Sequence, residues 1–143
     1  MLKVAVVILI VMLAYAGVYS LMSIFAPTVM MKSALTATTG KTLDNARDDG
    51  YLKALTGGQR NLGLYALTTA IAGFFVLFAG FRKGQKWAWW SFLVVGGITW
   101  LWGLVYAIVT VDTIHITLGA IGMVIFLVGL LIPIKAFFGK KEA

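Results

Sequence analysis

The most suggestive residues for chemistry in this chain are Asp112 and His115, three positions apart. Residues at that spacing lie on one face of a helix, so the two side chains can meet. Histidine is a common metal ligand, and a carboxylate beside it makes a general acid–base pair. Three interpretations stay open: an Asp cap with an interfacial histidine, a metal or ligand contact, and catalysis. Because two side chains are too few for a closed metal site, we assign no metal, no cofactor and no catalytic residue.

Two other polar segments deserve the same question. Arg60 and Asn61 precede an apolar run on the same predicted side as Asp112 and His115. They are either an interfacial anchor and cap, or part of one polar cluster with that pair, which would grip a lipid head group or the polar end of a ligand. The acidic segment Asp44–Gly50 suggests calcium, but its third residue is Ala, its Gly comes one place late and no Glu closes the loop. We interpret it as a solvated polar face.

Four long apolar runs must position these groups. Each is close to the roughly 20 residues that a helix needs to cross a membrane, and none contains Asp, Glu, Lys, Arg or Cys. The four predicted spans are about Val4–Ala26, Leu62–Phe81, Trp87–Val111 and Ile116–Ile134. The predicted fold class is therefore all-α: a single integral membrane domain over residues 1–143, built as an antiparallel four-helix bundle with an outer loop at 27–61.

Composition excludes several classes of function. Hydrophobic residues make up 61% of the chain, and the mean hydropathy is +0.96. The formal charge is +7, but the basic residues form no continuous patch, so membrane lipids and not nucleic acids are the expected partners. The lack of cysteine excludes thiol chemistry. Proton relays and ion-coupled transport leave ionisable residues at membrane depth, and the four runs have none.

Charge also predicts the orientation. Lys3, an apolar stretch and Ala14-Tyr15-Ala16 resemble a signal peptide, but the run continues through Phe25, so we expect an uncleaved first span. The face with both termini and the second turn carries one acidic residue, Glu142, and several basic ones. These are Lys3, Arg82, Lys83, Lys86, Lys135, Lys140 and Lys141. Because positive loops stay inside, both termini should be cytoplasmic, in the plasma or inner membrane, with loop 27–61 outside.

The outer loop is the one sizeable segment between the spans. We expect Pro27 to end the first span, and apolar residues between Thr42 and Thr56 recur at helical spacing. We therefore predict a short amphipathic helix there, ended by Gly57-Gly58, that lies on the membrane or docks on a partner. Its candidate docking residues are Leu43, Tyr51 and Leu55.

Small residues recur at three- and four-residue spacing within the last three spans. Lipid gives helices no hydrophobic reason to associate, so close approach over small residues supplies the packing. The predicted packing positions are Gly63, Ala66, Ala70, Gly73, Gly96, Gly103, Gly119, Gly122 and Gly129. The same positions could instead seat a neighbouring subunit.

Two stretches carry a resemblance to a known group. They are Arg60-Asn61-x-Gly63 and the basic turn Phe81–Lys86, which is followed by Trp87-Ala88-Trp89-Trp90. Over residues 60–134 the chain resembles small four-helix membrane proteins of bacteria and archaea, the broad DoxX-like group. The resemblance implies a four-helix fold and association with respiratory or other membrane assemblies, and it supplies no catalytic motif. Small multidrug exporters carry a Glu in the first span, which this chain lacks.

Two functions from different classes follow. The first is a non-catalytic accessory or assembly subunit of a larger membrane complex, with other membrane subunits as partners. The alternative is a binder of, or enzyme acting on, a lipid-soluble small molecule. Its pocket would lie between the aromatic third helix and the Asp112–His115 edge. A transporter or channel is the remaining class.

Overall fold

A computed structural model describes residues 1–43 and 49–139, and these two ranges contain helices and no strand. The helices are α1 Leu2–Phe25, α2 Pro27–Thr39, α3 Asp49–Ala79, α4 Lys86–Ser91, α5 Gly97–Val109, α6 Thr113–Leu131 and α7 Ile134–Phe138. A short 3₁₀ turn at Phe81–Lys83 follows α3, and a π-helical segment at Phe92–Gly96 joins α4 to α5. The all-α class is confirmed for this part of the chain.

Four helical stretches are long and apolar enough to cross a membrane. They are Leu2–Phe25, Gly50–Lys83, Lys86–Val109 and His115–Phe138. The prediction of four possible spans is thus confirmed, with boundaries that move by a few residues at most ends. The second span starts twelve residues earlier than predicted, at Gly50 instead of Leu62. The antiparallel arrangement and the orientation in the membrane stay predictions.

The outer loop begins with a helix that the sequence analysis missed. Pro27 ends α1, as predicted, but it is also the first residue of α2. This works because the first turn of a helix needs no N–H from that position and proline already has the right φ. α2 buries Met31 and Leu35, one turn apart, and Gly40 ends it in the left-handed conformation at φ 66°.

The separate helix predicted for Thr42–Thr56 is wrong. α3 begins at Asp49 and continues through Gly57-Gly58 without a break. Each glycine costs only about 1 kcal/mol relative to alanine in a helix, too little to end one that is supported on both sides. Residues 44–48, with most of the suggested calcium segment, lie outside the described residues.

α1 forms the centre of the fold. It packs against α3 and α6, and α5 packs against α6. The five largest fully buried apolar side chains come from α1, α3, the 3₁₀ turn and α6: Leu9, Leu77, Phe81, Phe126 and Leu130. Phe81 contacts the rings of Phe92 and Phe137, at centroid distances of 5.3 and 4.8 Å, so the aromatic end of the core ties the basic turn to the third span and α7.

Most of the predicted small residues face another helix. A methyl group added at Gly63, Gly73 or Gly129 would meet α1, one at Gly96 would meet Phe126, and one at Gly122 would meet Trp100. A methyl group added at Gly119 would lie 3.5 Å from Leu104 Cδ1. Ala70 is buried and Ala66 is half-buried. Gly103 is different: it is exposed, and no described atom lies within 4 Å of its added methyl group. The packing assignment of Gly103 is therefore wrong within this chain.

The fourth span is interrupted near its end. α6 stops at Leu131, Pro133 follows, and α7 resumes at Ile134. The indole N–H of Trp89 donates to the Leu130 carbonyl at 2.9 Å, so a carbonyl in the last turn of α6 has a buried partner from the third span.

Candidate functional site: a polar cleft at the start of α6

The site begins with the turn between α5 and α6. Val111 has φ 54°, a left-handed conformation that a β-branched residue rarely adopts. The next residue, Asp112, is extended, and its amide donates back to the Ala107 carbonyl at 3.0 Å. Asp112 is the N-cap of α6: its Oδ1 accepts from the His115 amide at 3.2 Å. The cap interpretation of Asp112 is thus confirmed, and it fixes the carboxylate above the first turn.

The second oxygen of the same carboxylate binds the histidine ring. His115 Nδ1 lies 2.7 Å from Asp112 Oδ2. Ser33, on α2, donates its hydroxyl to Oδ2 at 3.3 Å and lies 3.4 Å from Nδ1. The residue Asp112 is 2% exposed, although it bears an ionisable group. α2, which lies within loop 27–61, therefore covers the Asp112–His115 pair.

Burial raises the pKa of Asp112, but the hydrogen bonds from the His115 amide and ring, the attraction of that ring and the Ser33 hydroxyl lower it by more. The net result is a pKa below the ordinary value. The carboxylate is ionised at neutral pH and can only accept hydrogen bonds.

The other ring nitrogen of His115 faces α1. Nε2 lies 3.5 Å from the Tyr19 hydroxyl, and the two rings meet edge to face at a centroid distance of 6.4 Å. A 3.5 Å separation is at the outer limit for a hydrogen bond, so this contact is weak. Nε2 of His115 thus has a weaker hydrogen bond to the protein than Nδ1 of the same ring.

These groups line an open cleft of about 820 Å³ between α1, α2 and the start of α6. Its apolar lining includes Val18, Met22, Val29, Met30 and Leu118, and its polar lining includes Tyr15, Tyr19, Lys32, Ser33, Thr36, Asp112, Thr113 and His115. Most of the surface that lines the cleft is apolar, and the Asp112–His115 pair is among its polar groups.

The structure brings together only part of the predicted polar edge. Asp112 and His115 are in contact, whereas Arg60 and Asn61 are exposed on α3. Among residues 1–43 and 49–139, no hydrogen bond or ion pair joins Arg60 or Asn61 to the pair. The cleft also lies elsewhere than expected, because its wall comes from α1 and α2 and no α5 residue lines it.

The predicted docking residues are not on one helix. Tyr51 is 52% exposed on α3, Leu55 is half-buried one turn later, and Leu43 lies before the helix begins. Tyr51 and Leu55 therefore share a helix face, as predicted, but the face belongs to the extension of the second span.

Sequence reasoning missed Tyr19 and Ser33. Tyr19 is a polar-ended residue inside the first apolar run, and Ser33 follows Lys32 on the unpredicted α2. The available signal was the spacing of Pro27, Met31 and Leu35, which is helical and followed by Gly40.

No protein-family model, curated protein or solved structure matches this chain. The resemblance to DoxX-like proteins stays a prediction.

Proposed function

We propose that this protein binds a lipid-soluble, amphipathic molecule in the cleft between α1, α2 and α6. The single observation that carries the proposal is the cleft itself, whose mostly apolar lining includes the Asp112–His115 pair. Ligand pockets combine mostly apolar walls with a few polar groups that fix orientation. This is the second of the two functions that the sequence suggests. The cleft lies between α1, α2 and the start of α6 and not beside the aromatic third helix.

The division of the cleft matches the two parts of such a ligand. Met22, Val29 and Leu118 offer an apolar surface for a chain, and Ser33 and His115 lie where a polar end would reach. Asp112 and His115 lie at the start of α6, which belongs to the fourth possible span, so in this proposal the polar groups of the cleft are at the membrane interface. A lipid-soluble molecule could therefore enter sideways from the bilayer without losing its apolar surroundings.

The geometry supports binding over nucleophilic catalysis. In a serine–histidine–aspartate triad, the serine and the carboxylate bind opposite nitrogens of the ring. Here Ser33 lies 3.4 Å from Nδ1, the same nitrogen that binds Asp112. His115 cannot relay a proton from Ser33 to a substrate in this arrangement, because Nδ1 is already occupied by the carboxylate.

The binding proposal is tested by extracting the protein from its native membrane in lipid nanodiscs and identifying bound small molecules by mass spectrometry. Ala37→Trp places an indole in the cleft, and Thr38→Trp, on the next position of α2 and outside the cleft lining, is the matched control. We expect one molecular species to be enriched over bulk lipid with the wild type and Thr38→Trp and lost with Ala37→Trp. Equal lipid profiles for all three proteins would refute the proposal.

Orientation is part of the same proposal. We infer that the termini and the basic turn are cytoplasmic, which puts α2 and the cleft on the outer side. The charge asymmetry of the loops supports it. Single cysteines at Thr38 and Gln85 test it in this cysteine-free chain, since both positions are exposed. An impermeant thiol reagent should label the first and not the second in intact cells; the reverse pattern would move the cleft inside.

A second candidate function, an accessory subunit of a membrane complex, is favoured by the third span. Ile98, Trp102 and Val109 are 65%, 68% and 75% exposed, and Gly103 beside them has open space. This face meets either lipid or another helix. Copurification of stoichiometric partner chains that Trp102→Ala releases, with Ile108→Ala on another exposed side of α5 as a control, would favour the subunit, whereas a protein that purifies alone would oppose it.

A further inference from the structure

Resting on the proposed ligand-binding function, we propose that the polar end of the ligand is a neutral hydroxyl group, as in a long-chain alcohol or a diacylglycerol. The hydroxyl donates its hydrogen to Nε2 of His115 and accepts one from the Tyr19 hydroxyl. The argument rests on the proton positions that the Asp112–His115 contact imposes.

The carboxylate fixes the tautomer of the ring. An ionised carboxylate has no hydrogen to donate, so the 2.7 Å contact between Asp112 Oδ2 and His115 Nδ1 requires the proton on Nδ1. In neutral imidazole the other nitrogen then carries a lone pair. In the neutral ring, which the proposal takes as the binding state, Nε2 is therefore a hydrogen-bond acceptor, and it lies 3.5 Å from the Tyr19 hydroxyl.

Tyr19 supplies the complementary donor. With Nε2 as acceptor, the Tyr19 hydroxyl is the donor across the 3.5 Å gap, and that bond is long. A ligand hydroxyl can serve both groups, since it has one hydrogen to give and lone pairs to accept. An ether or a carbonyl oxygen can only accept, so it would pair with Tyr19 and leave Nε2 without a donor, which is costly once the bound ligand excludes water.

Charge disfavours the other head groups. An anion would approach the ionised Asp112, and the one cation that lines the cleft within the described residues is the exposed Lys32. An ammonium could donate to Nε2, but Lys32 would repel it. It could not bind Asp112 directly either, because the Asp112 side chain is buried and contacts His115 and Ser33. A neutral donor–acceptor group fits without these costs.

The test compares four probes that share one chain: oleyl alcohol, oleyl methyl ether, oleic acid and oleylamine. Each is titrated onto the purified full-length protein, and binding is measured by native mass spectrometry. Wild type should bind the alcohol about tenfold tighter than the ether, the size expected for one hydrogen bond to an otherwise unpaired acceptor.

Three variants identify the hydrogen bonds. Asp112→Asn keeps a capping side chain, but its amide N–H donates to Nδ1 and moves the ring proton to Nε2. Since Nε2 would then be a donor, the preference for alcohol over ether should disappear or reverse. Tyr19→Phe should reduce alcohol binding, whereas Tyr106→Phe, on exposed α5, should leave the ratio unchanged. If Asp112→Asn does not fold, the ratio of alcohol to ether binding in the wild type decides the proposal, and Tyr19→Phe should weaken the binding of both probes.

The outcomes separate the two proposals. Equal binding of alcohol and ether to wild type, with both lost in Ala37→Trp, would reject the hydroxyl proposal and keep the ligand site. Tightest binding of oleic acid or oleylamine would reject it in favour of a charged head group. Equal binding of every probe to wild type and Ala37→Trp would reject the ligand site as well.

Discussion

The contact between α1 and α3 should tolerate no side chain at Gly63. A methyl group added there would lie 2.8 Å from Ser23 Cβ and 2.9 Å from the backbone oxygen of Ser20. Both atoms belong to one face of α1, and Ser20 and Ser23 are fully buried. A backbone oxygen cannot rotate away as a side chain can, so Gly63→Ala must push the two helices apart.

The expected change in stability follows from comparing alanine substitutions at three glycines. Replacing glycine by alanine in a helix gains about 1 kcal/mol of backbone stability. At Gly17 no described atom lies within 4 Å of the new methyl group, so the gain should appear in full. At Gly63 overpacking costs about 1–3 kcal/mol against the same gain. At Gly73 the obstacle is the flexible end of Leu13, 2.6 Å away, which can turn aside, so an intermediate result is expected.

Thermal unfolding of the three alanine variants in one detergent measures this order. We expect Gly17→Ala to melt at or above wild type, Gly73→Ala near it, and Gly63→Ala below it, with a span of about 1–3 kcal/mol between the extremes. Gly63→Ala should also weaken alcohol binding, because α1 carries Tyr19. Equal melting temperatures for Gly63→Ala and Gly17→Ala would refute the close approach of α1 and α3.

Three further predictions concern the turns and the site. Val111→Gly should stabilise the protein by about 1 kcal/mol relative to Val111→Ala, since only glycine adopts φ 54° without strain and Val111 is 71% exposed; equal melting temperatures would contradict this. The pKa of Asp112 in the folded chain lies below its ordinary value of 3.8. The ionised carboxylate therefore contributes fully to the free energy of unfolding above pH 3.8, and this contribution is lost as the pH falls through the pKa of the folded chain. Acid melting curves should show this loss, and Asp112→Asn should not share it. Trp89→Phe should cost about 1–3 kcal/mol in the same melting assay by leaving the buried Leu130 carbonyl unpaired, whereas Trp90→Phe should cost less because Trp90 is 52% exposed.

The spans could be predicted because their signal is compositional. A run such as Val4–Ala26 is too apolar and too long for anything but a spanning or fully buried helix. The glycines of the second span were also readable, since small residues at helical spacing have few uses within a membrane other than close contact. Gly103 fitted the same spacing and yet has open space, because spacing assigns a face and does not tell which neighbour, if any, covers it.

The errors lie in the outer loop, where local signals compete. Gly57-Gly58 predicts a helix end, but α3 continues through the pair, and the Thr56 hydroxyl donates to the Leu52 carbonyl at 2.9 Å just before it. Pro27 predicts the end of one helix, and the start of α2 at the same residue shows that proline also begins helices.

Two of the four residues that form the polar cluster could be predicted from the sequence. Asp112 and His115 are neighbours in sequence, so their contact follows from helix geometry. Tyr19 and Ser33 reach them from 96 and 82 positions away, and only the packing of α1 and α2 brings them there.

The π-helical segment Phe92–Gly96 has a consequence for how the third span can change in evolution. A π turn encloses one residue more than an α turn, so it stores a single-residue insertion without breaking the helix. Deleting one residue there would restore α-helical turns and keep the faces of α4 and α5 in their present relation. Trp100 would then stay against Gly122, and the same side of α5 would meet α6. The segment is thus the position at which the third span can lose one residue without exchanging its buried and exposed sides, whereas a deletion elsewhere in the span would rotate the following residues by about 100°.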